Sequence, residues 1–170
     1  MNTSWVQLFN CKVSDLAYSD SWTITQDDHL PPQHAPAGWN WYRTSSFARF
    51  YCSTCSNKWA SAKALILFNM RLQNGTGVVK VRFFKQQCRK DHNDEVGFVE
   101  PSFNEENIKQ VLGRLMTKIL QRCYKEHVGE GTTFFGRDNY MDGPHERRHC
   151  EACSLGICNQ ITDQEPELVL

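Results

Sequence analysis

Six of the eight cysteines in this chain of 170 residues are spaced as metal ligands. Cys52-Ser-Thr-Cys55 and Cys150-Glu-Ala-Cys153 each have the tight spacing with which a knuckle offers two thiolates to one tetrahedral zinc. Cys158 follows the second pair, and Cys88 stands between the two knuckles. A lone C-x-x-C also suits a redox pair, and buried cysteines can be inert thiols. Two knuckles with further cysteines between and beyond them favour structural zinc. Two tetrahedral ions take eight ligands, so six thiolates leave two places to fill. The histidines near the clusters are His92, His145 and His149. His145 lies in Gly143-Pro144-His145, a turn that can aim its imidazole at a metal, whereas His149 adjoins Cys150, where sharing one site is harder. A hydrolytic zinc needs an open position and a nearby base, and a cysteine-rich closed set has neither. With no G-x-S-x-G, P-loop or H-E-x-x-H in the chain, the expectation is a binding domain and no enzyme.

The elements that must position these ligands are partly readable. Ala64, Ile66, Phe68, Met70 and Leu72 alternate with Leu65, Leu67, Asn69 and Arg71. Val79, Val81 and Phe83 alternate with Val78, Lys80, Arg82 and Phe84. Asn74-Gly75-Thr76-Gly77 between them supplies the residues of a tight reversal, so residues 63–87 read as a β-hairpin that ends at Cys88. A knuckle before a hairpin and a ligand after it is zinc-ribbon logic, because strand pairing half closes the loop that zinc then locks. Ile108, Val111, Leu112, Leu115, Met116, Ile119 and Cys123 form one helical stripe, preceded by Pro101 and a Ser102/Glu105 capping box. A shorter helix is expected over residues 4–17, capped by Ser4, with Cys11 and Cys123 as ordinary core residues. Ser21–Thr25 reads as a strand, 26–38 as a loop with Pro31, Pro32 and Pro36, and 125–144 as a glycine-containing loop. The fold class is α+β: a zinc-stapled antiparallel β-sheet with zinc-ribbon-like hairpins, one long amphipathic helix and a shorter N-terminal helix. Residues 1–38 read as N-terminal helix and linker, 39–160 as the zinc-binding domain and 161–170 as a disordered tail.

Nineteen basic and nineteen acidic residues give a formal charge of zero, which argues against non-specific binding driven by a polyanion's field. Local patches stay open: Lys80, Arg82 and Phe84 could supply phosphate contacts and a stacking ring, or be a solvated strand face. The cluster Trp39, Trp41, Tyr42, Phe47 and Phe50 reads as core or as a binding surface. No secretory leader and no membrane span are visible, so the expected location is the reducing cytoplasm.

The knuckles and their surroundings resemble the receptor-transporting protein family with its 3CxxC-type zinc finger. Phe50-Tyr51-Cys52-Ser-Thr-Cys55 with Trp59 is similar to the first knuckle of that family, and Arg82-Phe83-Phe84-Lys-Gln86-Gln-Cys88 to the approach to its second. Gly143-Pro-His145 through Cys150, Cys153, Gly156 and Cys158 is similar to the third. The resemblance spans roughly residues 39–160. It implies two structural Zn²⁺ ions and an accessory, chaperone-like role in bringing G-protein-coupled receptors of the odorant or taste kind to the cell surface. An interferon-linked antiviral protein that binds RNA is the family's alternative. No small-molecule substrate is implied. One departure is that Asp91 stands where the family's second knuckle has its second cysteine; Asp91 or the adjacent His92 would then complete the site, or the site is weakened. Another is the polar C-terminal segment where many members have a membrane-spanning tail, so membrane association, at the cytosolic face of the endoplasmic reticulum or plasma membrane, would come through a partner or a missing tail.

Overall fold

Asn74 and Gly75 both take positive φ, 52° and 73°, and this two-residue reversal joins β3 (Lys58–Gln73) to β4 (Thr76–Phe83). Positive φ at both central residues is what a type I′ turn demands, and Asn-Gly supplies it with little strain. The computed structural model describes residues 1–90, 97–127 and 147–158. Before the hairpin come α1 (Thr3–Ser14), β1 (Ser21–Gln26) and β2 (Asn40–Tyr51); after it come α2 (Glu105–Arg122) and α3 (Glu151–Ser154), the latter preceded by a 3₁₀ turn at Arg147–His149. The four strands form one sheet in the order β1-β4-β3-β2.

The α+β class with a long amphipathic helix and a shorter N-terminal one is what the chain adopts. The sheet is mixed, however: β1 runs parallel to β4, while β2–β3 and β3–β4 are antiparallel. Parallel pairing needs a long crossover, and residues 27–75, carrying β2 and β3, provide it. Gly77 makes the junction possible. A Cβ at Gly77 would run into the Trp22 indole, so the glycine is needed for close approach and has no part in the turn.

One face of the sheet packs under both helices. Ile66, Phe68, Met70, Val79, Val81 and Phe83 meet Ile108, Val111, Leu112, Leu115 and Ile119 of α2 and Trp5 and Phe9 of α1. Each such large side chain contributes roughly 1.5–3 kcal/mol when fully buried. The opposite face carries a smaller core of Leu30, Leu65, Leu67, Phe84, Ala152 and Ile157.

Several local expectations are corrected. Asn104 caps α2, its side chain accepting from Asn107 N at 2.8 Å; Ser102 cannot, because its backbone is already exchanged with that of Arg49. Asn2 caps α1 in place of Ser4, and Ser4 N donates to it. Cys11 is exposed, whereas Cys123 does pack against the main core. The aromatic cluster divides: Phe50 is core, Tyr42 and Trp41 lean on opposite faces of the sheet, and Phe47 is exposed. The loop expected over 125–144 and the tail after 160 lie largely outside the described residues.

Candidate metal centre

The first cysteine cluster gathers at one end of the sheet. Cys52 directly follows β2, and Cys88 lies five residues past β4, so strand pairing brings them together. The turn between is tight: Ser56 N donates to Cys52 O at 2.8 Å, Cys52 N to Asn57 O at 2.9 Å, and Ser56 takes φ 60°. The ligand atoms of Cys52, Cys55 and Cys88 all lie within 4.8 Å of one another. Cys55 and Cys88 Sγ are 3.8 Å apart. Thiolates about 2.3 Å from a tetrahedral ion stand about 3.8 Å apart, whereas a disulfide would need about 2.05 Å. The spacing therefore fits zinc. Backbone hydrogen bonding from Cys55 and then Thr54 holds the Cys52 thiol below its ordinary range against the opposing effect of burial, while burial pushes Cys55 up. The Asn57 side-chain amide donates to Cys88 Sγ at 3.6 Å. Behind the knuckle, Trp59 stacks on Phe50 with centroids 5.4 Å apart and donates Nε1–H to Gln86 Oε1 at 3.0 Å.

The second cluster is local. Cys150, Cys153 and Cys158 also bring their sulfurs within 4.8 Å. The turn after α3 is what returns Cys158 to the other two. Gly156 takes φ +71°, Gly156 N donates to Cys153 O and Ile157 N to Ala152 O, each at 3.0 Å. This is the Schellman pattern of a helix end, with the buried Ile157 against Ala152 as its apolar contact. Glycine tolerates the left-handed conformation there without strain. The neighbouring Cys150 thiol, then burial, pushes Cys158 far up. Three sulfurs so close cannot all ionise unaided; a dication among them removes the repulsion.

The segment with the second cluster is fastened to the strand that delivers the first. Gln86 bridges to Cys150, Gln87 N donates to His149 O at 2.8 Å, and Glu151 N to Lys85 O at 3.1 Å. Glu151 clamps from above: Oε1 takes Arg82 Nη2 at 2.8 Å and Oε2 takes Lys85 N at 2.7 Å.

All six cysteines singled out by spacing are thus brought together, three and three. Asp91, His92 and His145 lie outside the described residues. His149 joins neither triad, and its buried Nδ1 has no hydrogen-bond partner. Arg82 and Phe84 do not join Lys80 in the exposed surface considered for nucleic acid. Phe84 is only 2 % exposed, buried against the second cysteine segment, so it is no surface stacking ring. Arg82 is spent on Glu151 and Leu30 O, whereas Lys80 has only a loose, part-exposed pair with Asp27 at 3.4 Å. The roles of Gln86, Asn57 and Glu151 were not anticipated; each serves the site through long-range contacts that local spacing does not signal.

A family model for a 3CxxC zinc ribbon, described as a zinc-binding domain, matches residues 45–156. The chain is 37% identical over 161 residues to Receptor-transporting protein 3 of Mus musculus, covering 92% of this chain and 33% of that protein. It is 32% identical to Receptor-transporting protein 4 of Mus musculus, covering 90% and 62%, and 33% identical to Receptor-transporting protein 2 of Mus musculus, covering 90% and 69%. The chain therefore spans between a third and about two-thirds of the length of these curated relatives. No solved structure matches it.

Proposed function

The chain belongs to the receptor-transporting proteins with their 3CxxC zinc-binding domain, and on that premise we propose that it is a zinc-binding accessory protein that helps G-protein-coupled receptors, of the odorant or taste kind, reach the cell surface. The observation that carries this reading is the likeness to receptor-transporting proteins over about nine-tenths of the chain, and the two thiol triads of this chain fit a zinc-binding domain. The role is recognition and not catalysis: a fourth protein ligand makes each triad a thiolate-rich site of the closed, structural kind. Two Zn²⁺ ions are held, one by Cys52, Cys55 and Cys88 with Asp91 or His92, the other by Cys150, Cys153 and Cys158 with His145. What zinc supplies when bound is structural, fixing the two knuckles on the sheet. No helix among the described residues is long and apolar enough to cross a membrane, which is compatible with work at the cytosolic face of a membrane through the receptor itself.

Two measurements test this. Co-expression with a poorly trafficked odorant-type receptor should raise surface receptor, and Cys55→Ser or Cys153→Ser should abolish the gain; unchanged surface receptor would overturn the role. Native mass spectrometry should show two zinc ions. Asp91→Cys should slow loss of the first zinc to a chelator, since a third-row donor such as thiolate holds zinc more tightly than a carboxylate. The antiviral RNA-binding alternative finds no support in the placement of Phe84 and Arg82.

A further inference from the structure

Beyond the triads, the second face of the sheet has an unused half. Its register can be read across the strands: Asn69 on β3 stands between Trp41 on β2 and Lys80 on β4. One step along, Arg71 faces Val78, with Trp39 lying just before β2. The half of this face around Leu65, Leu67 and Phe84 is filled by the second cysteine segment. The half around Asn69 is made of half-buried Trp39, Trp41, Arg71 and Lys80.

Three features of this patch point to a ligand. Arg71 lies 4.5 Å from the Trp39 ring centre and Lys80 5.4 Å from the same ring. A guanidinium stacked on an indole has its planar fork pre-organised and its edge free to take a carboxylate bidentately. Among the described residues no carboxylate pairs with Arg71, and the Lys80–Asp27 pair is loose, at 3.4 Å with side chains 38% and 28% exposed. Such a pair is worth little and is readily exchanged. Arg82, on the same face, is by contrast held by Glu151 and is not available. Finally, Asn69 is 1 % exposed, and its buried Oδ1 has no hydrogen-bond partner. A buried acceptor in the floor of a cationic patch calls for an incoming N–H.

We propose that this face is a docking surface for an acidic peptide segment of a protein partner. Carboxylates of the segment meet Arg71 and Lys80, and one of its N–H groups reaches Asn69 as the side chains over it move aside. A peptide carries both groups at once. Single-stranded nucleic acid fits less well, because its tight binding rests on bases stacking on open rings, and the cations already cover the Trp39 indole. The proposal deepens the receptor-accessory reading by naming the chemistry of the partner's segment, and it is testable without any receptor.

The test uses the zinc-loaded full chain and fluorescence anisotropy with three labelled probes: a 12-residue peptide of alternating Glu and Ala, its Gln–Ala counterpart and a 12-nucleotide oligouridine. The acidic peptide should bind and weaken with added salt, and the Gln–Ala peptide should not bind. Arg71→Gln with Lys80→Gln should weaken binding by at least about tenfold, the loss of two charge-assisted contacts. Asn69→Leu should weaken it by about three- to tenfold. Lys109→Gln, on the exposed side of α2, should leave it unchanged. Zinc content and circular dichroism confirm that each variant is folded. No binding of the acidic peptide, equal binding of the Gln–Ala peptide, or tighter binding of oligouridine that is lost in the double variant would overturn the proposal. Because purified protein is used, its failure is visible separately from a failure of receptor delivery in cells.

Discussion

The two cysteine triads reach the same arrangement by opposite routes. The first joins Cys55 to Cys88 across 33 positions, yet its ligands stand at the ends of strands already paired along most of their length. The second takes all three thiols from residues 150–158, on a helix of four residues and one turn. A helix that short has no stability of its own. Distance along the chain is therefore a poor guide to how much a site depends on its metal. The long-range triad is assembled by the sheet; the short-range one needs the metal, the Schellman turn and the Glu151 clamp to exist.

That contrast sets the order of expected effects. The largest belongs to the second triad. Structural zinc contributes on the order of 10 kcal/mol to folding, against domain stabilities of about 5–15 kcal/mol. Cys150→Ser should release residues 147–158 and uncover Leu65, Leu67 and Phe84, seen as lost hydrogen-exchange protection at Glu151, Ile157 and the neighbouring strand. In Cys52→Ser, protection of the hairpin amides in β3 and β4 should persist while the turn at residues 52–57 exchanges freely. If both variants strip the hairpin equally, the contrast between the routes is gone.

A smaller effect separates the clamp from the metal. Glu151→Gln keeps all six thiols but removes the charge held between Arg82 and the Lys85 amide, contacts worth about 1.5–3 kcal/mol for a charged partner. Urea unfolding should shift by that amount, and the second zinc should be released faster than the first. Equal release would show that the clamp serves the whole sheet and not the short segment. The smallest effect is expected at the first triad. Trp59→Phe retains the stack on Phe50 and loses the bond to Gln86, about 1 kcal/mol in urea unfolding with zinc content unchanged.

The parts legible in the sequence are those whose signal is local. Asn74-Gly75 and the alternation on either side marked the hairpin; the repeated two-residue spacing picked out four of the six clustered thiols, and the places of Cys88 after the hairpin and Cys158 after the second knuckle added the other two. The α2 stripe was readable for the same reason. β2 was not, because Trp41, Tyr42 and Arg43 are half-buried in succession, and where burial does alternate, over residues 47–51, the apolar Phe47 and Tyr51 stand on the exposed side. Phe84 shows the other kind of limit. Alternation correctly put it on the face of Lys80 and Arg82, but what covers its end of that face comes from Ala152 and Ile157, some seventy residues on. The caps at Asn2 and Asn104 each lay two residues from the serine that looked suitable, and Ser102 was lost to a backbone bridge with Arg49.

The parallel pairing of β1 with β4 also has a consequence in time. Ser21 pairs with Thr76, so β1 leaves the ribosome about 55 residues ahead of the strand that receives it. At roughly 5–20 residues per second this is a wait of about 3–11 s. Throughout it, Trp22 and Ile24, both buried in the finished fold, have no β4 to lie against. The nascent chain thus displays an apolar strand before its seat has been translated, and the first strand synthesised is among the last to be housed.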